Sequence, residues 1–397
     1  MHLAKMSERR TALLGALLTA IGPLSMTIYA PAMPELVKVF QSTDGAIKAS
    51  LSCYFGGFAV AQLVAGAASD AFGRRPSSLA FLAIYLVGAV MSCFAPSVEW
   101  LLVGRLVQGI GASVGITVAR AIVRDQFTGM QSARIMNLIG IMLGIGPAFG
   151  PVIGGLCLQF FSWQAVFYVM MGLGLVATLA VFTMPETGVP DKGRARPAMV
   201  FSTYGALITD LRFLLPAMVV AGSVGALYTQ ATMLPFILID MAGLTPAQYG
   251  FSMLMQTGFY FIGSVLLRFT APRLGGHGSV VVGLMACGTG ALLMFIFSRF
   301  FAPDLLTVMV PISFTSLGIA FLTPHIVTIS LAHVAKVAGS ASAMMGFLQM
   351  GAGFAMGLAG ALFASPLMAY GTLLPLMHLV AITSYVVYLK FIPVERA

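Results

Sequence analysis

Charge is the scarcest commodity in this 397-residue chain: Asp, Glu, Lys and Arg together make up 8% of it. Soluble domains carry about a quarter, so an ordinary water-facing globular surface is excluded. Only 12 residues are acidic and 5 are His, and no two adjacent apolar runs gather them into the clusters that acid–base or metal-assisted catalysis needs. The four cysteines, Cys53, Cys93, Cys157 and Cys287, stand singly inside apolar runs without CxxC spacing. That pattern excludes a disulfide framework and leaves them as small packing side chains. There is no GxxxxGK[ST], which excludes a P-loop nucleotide-driven pump. No enzyme, metal or cofactor is expected.

What the chain has in abundance is apolar length. Hydrophobic residues make up 59% and the mean hydropathy is +0.97. A membrane span takes about 20 apolar residues. Such runs lie at 12–30, 46–68, 77–95, 99–122, 133–158, 164–184, 211–232, 247–269, 279–300, 303–325, 340–364 and 370–392. Lys5, Arg9 and Arg10 precede the first run, as in a signal peptide, but that run continues to Tyr29 without an Ala-x-Ala cleavage site and reads as a retained helix. With the N-terminus inside, every Lys and Arg falls in an inner loop except Lys38, Lys48 and Arg299 outside and Arg105 within a span. This bias places both termini in the cytoplasm and requires an even number of spans. It also explains the net charge of +9 without nucleic acid, since the cations form no stripe.

The one long polar interval, 185–210, reads as a cytoplasmic linker between an N-terminal bundle (1–184) and a C-terminal bundle (211–397). The halves echo each other: Arg268-x3-Pro272-Arg273-x-Gly275 closes span 8 much as Gly66-x3-Asp70-x2-Gly73-Arg74-Arg75-Pro76 closes span 2. The expected fold is an all-α membrane protein with twelve transmembrane helices in two pseudo-symmetric six-helix bundles, a plan that transporters use.

Three stretches carry candidate chemistry. The Gly66–Pro76 loop packs Asp70, Arg74 and Arg75 between two apolar runs that water cannot solvate. Span 4 holds Arg105, where a charge costs about 2.5–3.5 kcal/mol, beside Gln108, Gly109 and Gly111. This small polar face suits close helix approach or an aqueous cavity, while an arginine snorkelling to the outer surface is the plainer alternative. Span 5 carries Gly144, Gly146, Pro147, Gly150, Pro151 and Gly154, which predict a kinked, flat-faced, flexing helix. Helix packing through small residues is its plainer reading.

In this order and on these spans, the three motifs resemble those of the major facilitator superfamily, and within it the twelve-span drug:proton antiporters. Gly22-Pro23-Leu24-Ser25-Met26-Thr27-Ile28-Tyr29-Ala30-Pro31, Ala119-Arg120-x3-Arg124-Asp125 and Ser162-Trp163-Gln164 are similar to the Bcr/CflA subgroup. The resemblance spans the whole chain and is denser in the first half. It implies a bacterial inner-membrane exporter of drug-like small molecules, monomeric in the bilayer, working by alternating access with protons as the driving ion. It further implies that Gly66, Asp70, Gly73, Arg74, Arg75 and Asp125 form a gate, with Arg74 paired to Asp125 and Asp70 docked at the Gly339–Ser340 start of span 11. Tyr29, Arg105 and Gln108 would line the cavity.

One departure stands out. The subgroup usually has an aspartate two residues before the span 1 tyrosine, and here that position is Thr27, which cannot titrate. None of the 12 acids falls in the middle of a span. Glu35, eight residues on and about 12 Å further along a continued helix, is the nearest candidate, with Asp240 and His325 as others. A cavity with Arg105 and no opposing carboxylate favours neutral or anionic cargo, so a specific metabolite, a metal chelator or an uncoupled facilitator is the alternative function.

Overall fold

The computed structural model describes residues 6–191, 197–334 and 337–391, whose regular structure is helical, without a strand. Lys192, Arg194 and Arg196, three of the basic residues counted in the inner loops, lie outside them. The first unit comprises α1 (Glu8–Tyr29), a 3-10 turn (Ala30–Ala32), α2 (Met33–Val39), α3 (Asp44–Phe72), α4 (Arg74–Cys93), α5 (Val98–Ala112), α6 (Val114–Gln126), α7 (Gly129–Phe160) and α8 (Trp163–Phe182). After α9 (Pro197–Thr209) come α10 (Leu211–Ala231), a π-helical turn (Phe236–Met241), α11 (Pro246–Phe300), α12 (Leu305–Ala332), α13 (Ala338–Ala361) and α14 (Pro366–Phe391). The chain divides into two compact units, 1–202 and 203–397.

Helix starts are written locally. Thr43 accepts from the Ala46 N–H, and Thr245 with Gln248 and Asp304 with Thr307 form reciprocal capping boxes, each satisfying N–H groups that the first turn leaves free. Among the described residues, ten helical stretches are long and apolar enough to cross a membrane. One of them, α11, has 55 residues and would reach about 80 Å if straight, so it holds two spans. They part at Gly275, whose φ of +67° is non-helical. With this break and the 32-residue α7 included, the described residues carry twelve helices of spanning length. Side chains that point away from the packed helices are apolar, among them Val60, Phe182, Phe269 and Leu292, as a lipid-facing surface requires.

The structure sharpens several boundaries. The loop expected between spans 2 and 3 is one residue, Gly73 at φ +101°, and the loop between spans 8 and 9 shrinks in the same way to Gly275. Span 4 is hitched at Ser113 into α5 and α6. The interval 185–210, read as a linker, contains the 13-residue α9. Lys48, expected in an outer loop, lies one turn inside α3 and is buried.

Within the first unit α5 is the central wedge, and glycine makes that possible. A Cβ on Gly109 would lie 2.1 Å from the Tyr54 carbonyl oxygen, and one on Gly111 2.2 Å from the Tyr85 nitrogen. The backbones of α3 and α4 therefore clasp α5 directly, and the residues on its inward face have nowhere to go but the interior. In the second unit, methionines and tyrosines (Met233, Tyr249, Met294, Met309, Tyr370, Met377) fill the core between α10, α11, α12 and α14.

Candidate functional site

Two polar assemblies stand out in the first unit, one at the α3–α4 turn and one in the interior. At the turn, Arg74 opens α4 and reaches back. Its Nε donates to Asp125 Oδ2 of α6 at 2.9 Å, and its Nη1 donates to Ser69 Oγ at 2.8 Å and ion-pairs with Asp70 Oδ1. The Arg74 side chain is 10% exposed and those of Asp70 and Asp125 are 32% and 22% exposed, so the pairing is partly sheltered from the screening that makes surface ion pairs weak. One arginine thereby ties the end of α3 and the end of α6 to the start of α4. Gly66 lets α6 come close, since a Cβ there would sit 3.3 Å from the Thr117 methyl.

A residue that the sequence reading passed over completes this turn. The Glu186 carboxylate, just beyond α8, accepts from four backbone N–H groups. Oε1 takes those of Arg74 at 2.8 Å, Thr187 at 3.0 Å and Gly188 at 3.1 Å, and Oε2 takes that of Arg75 at 3.1 Å. It caps α4 from a distance of more than a hundred residues in sequence, a favourable place for a negative charge. A Cβ on Gly73 would come 2.6 Å from Glu186 Oε2, so glycine is needed there for space as well as for φ. Arg75 donates to the Phe182 carbonyl at 2.7 Å and lies over the Phe182 ring, and the Asp191 N–H donates to the Asp70 carbonyl at 2.9 Å. The only sequence signal for Glu186 was an acid flanked by Pro and Thr immediately after an apolar run.

In the interior, Arg105 is completely buried. Its guanidinium carbon lies 4.2 Å from the Tyr29 ring centroid and 4.4 Å from that of Tyr54, sandwiched between α1 and α3. Nη1 donates to Gln108 Oε1 at 2.5 Å and Nη2 reaches the Ser25 carbonyl at 3.5 Å, while Nε has no partner. The rings are themselves pinned: Tyr29 to Ser50 at 2.5 Å, Tyr54 to the Gly22 carbonyl at 3.0 Å, and Tyr85 to Ser25 at 2.7 Å. Among the described residues no carboxylate pairs with Arg105. The arginine neither snorkels to a surface nor opens onto water here; aromatic faces serve as its counter-charge.

Thr27 faces α7. Its hydroxyl donates to the Pro23 carbonyl at 2.8 Å and is 3.2 Å from the Gly146 carbonyl, and a Cβ on Gly150 would lie 1.9 Å from Thr27 Oγ1. Gly154 abuts the Ile28 carbonyl in the same way, at 2.2 Å. The glycines of α7 thus form a seam against α1, and Pro151 is buried beside it. α7 runs as one helix through Gly144 and Pro147, whose side-chain surroundings lie outside the described residues. Glu35 sits in α2, past the 3-10 turn and half-buried, separate from the arginine cluster.

With this geometry in place, comparison with known proteins is informative. Residues 15–360 match the model of the Major Facilitator Superfamily. The MFS-type transporter YdgK of Bacillus subtilis is 27% identical over 347 residues, covering 85% of each chain. Multidrug resistance protein D of Escherichia coli is 25% identical over 371 residues, covering 92% of each. Multidrug resistance protein MdtL of Citrobacter koseri is 29% identical over 261 residues, 64% of each chain. Among solved structures, the xylose transporter XylE of E. coli in a partially occluded inward-open form superposes with a TM-score of 0.75 at 13% identity, covering 98% of this chain and 99% of that one. At that identity the likeness speaks for the fold.

Proposed function

Because the chain belongs to the Major Facilitator Superfamily and is therefore a membrane transporter rather than an enzyme, we propose that it exports drug-like small organic molecules across a bacterial cytoplasmic membrane, as a monomer with both termini inside. Relatives that carry multidrug-resistance names support this cargo class, and the span 1 residues Gly22–Pro31 support a place in the Bcr/CflA subgroup. The observation that carries the reading is the Arg74 latch, which ties three helix ends through Asp70 and Asp125 while Glu186 holds the turn between them. In this proposal the half-buried ionic knot at the one-residue turn is made in one state and broken in the other, as alternating access requires. Proton influx is the driving reaction in this proposal.

A second reading follows from Arg105. With no carboxylate paired to it among the described residues, a cargo group that displaces the Tyr29 and Tyr54 faces would have to be neutral or anionic. Purified protein in proteoliposomes tests both readings, with uptake followed with and without an imposed pH gradient for a lipophilic cation and a lipophilic carboxylate. Gradient-dependent cation transport supports drug:proton export; carboxylate transport indifferent to the gradient supports the second reading. Asp70→Asn is expected to abolish transport while leaving the protein folded in the membrane, and wild-type rates from that variant would remove the latch from the mechanism. Proton release on substrate addition, measured beside Thr27→Asp, tells whether the chain couples protons without an acid at position 27.

A further inference from the structure

The second unit has its own polar assembly at the end where the chain enters it, built from titratable rings instead of an ion pair. His277 follows the Gly275 break in α11, His325 lies on α12 and Tyr385 on α14. The two imidazole centroids are 5.1 Å apart at 72°, and His277 Nδ1 is 2.7 Å from the Tyr385 hydroxyl. Tyr385 is 2% exposed and stacks on Tyr388. The His325 ring lies directly on the backbone of the turn: a Cβ on Gly276 would fall 2.1 Å from its Cε1 and 2.2 Å from its Nδ1. Its Nε2 is buried without a hydrogen-bond partner. Three helices are thus joined by one cluster that two imidazoles dominate.

We propose that His277, His325 and Tyr385 form a proton-sensitive clamp that holds α11, α12 and α14 together at this end of the second unit and loosens when both imidazoles are charged. With one proton or none the rings pack without repulsion, and the Tyr385 hydroxyl can either donate to His277 Nδ1 or accept from it. A second proton sets two like charges about 5 Å apart in a half-buried site, where their repulsion is stronger than in water. The charged and titratable groups on the elements packed around the cluster do not offset this. Arg268 and Arg273 on α11, Lys390 on α14 and His333 beyond α12 are exposed, and Asp210 at the start of α10 is engaged as that helix's cap. Among the described residues none of them hydrogen-bonds or ion-pairs to either ring.

The position of the clamp gives it meaning. It occupies in the second unit the place that the Arg74 latch occupies in the first, at a turn made by one glycine of positive φ. An ion pair holds the first turn and two imidazoles hold the second, and of these side-chain types histidine is the one that ordinarily changes charge between pH 5 and 8.

The test uses full-length protein in nanodiscs, its four native cysteines replaced by serine and spin labels placed at Arg273→Cys and Thr328→Cys. Because the readout is a distance inside one unit, it stands apart from whether cargo transport is proton-coupled. Between pH 8 and pH 5 a second, longer distance is expected to appear. His277→Gln and His325→Gln should each remove the pH response, His333→Gln should leave it intact, and Gly276→Ala, by displacing the His325 ring, should show the longer distance already at pH 8. A distance unchanged across the titration overturns the proposal, as does a response that survives in the His277→Gln, His325→Gln double variant. Size-exclusion profiles matching the parent establish that each variant is folded.

Discussion

Arg105 shows how a single residue can be expensive and stable at once. A charge in mid-span costs about 2.5–3.5 kcal/mol, and each aromatic face returns about 0.5–2 kcal/mol, here from Tyr29 and Tyr54 together. The bond to Gln108 adds to that return, so cost and gain nearly cancel. Arg105→Met, which keeps the length and removes the charge, should therefore change thermal stability by no more than about 1 kcal/mol while transport in proteoliposomes is lost. A large drop in the unfolding midpoint would mean instead that the arginine holds the fold. Thr27 teaches the complementary lesson. As an absence it was legible in the sequence, but its hydroxyl turns to the α7 glycines, and that direction depends on a helix more than a hundred residues away.

At the scale of elements, the α1–α7 seam and the α3–α4 turn invite direct comparison. Gly150→Ala would drive a methyl into Thr27, an overpacking worth about 1–3 kcal/mol, and should lower both the thermal midpoint and the transport rate. Gly140→Ala, on the same helix with nothing within 4 Å of its Cβ, should be neutral or slightly stabilising through helix propensity. Equal effects from the two substitutions would contradict the seam. At the turn, Glu186→Gln leaves the Arg75 N–H facing an amide NH2 or, if the amide flips, strands the three N–H groups at Oε1. A buried donor without a partner costs about 1–3 kcal/mol. Hydrogen exchange at the Arg74 and Arg75 amides should quicken before any global loss of structure, and unchanged protection there would exclude Glu186 as the cap.

For the whole molecule, the proposal that both termini face the cytoplasm rests on the distribution of basic residues. A reporter active only in the cytoplasm, fused after the last residue, should be active, and one inserted beside Asp304 should be silent. The reverse result would invert every inside and outside assignment made above. The spans were legible because crossing a bilayer needs only apolar length, a property of each segment taken alone. The turns at Gly73 and Gly275 were legible as glycines in charged loops but not as one-residue breaks, since helix length past the apolar run is set by what caps and covers it.

The same division runs through the whole chain. Composition and apolar length by themselves determined the class and the number of spans, and the resemblance of the motifs to a family's pointed to the Gly66–Pro76 loop as a candidate latch. Only the tertiary structure decided that Glu186 caps α4, that Arg105 is sheathed by tyrosines, and that His277 meets His325. Hydrophobicity adds up residue by residue along the chain, whereas a buried polar group is defined by its partner, and in each of these cases the partner lies on another helix.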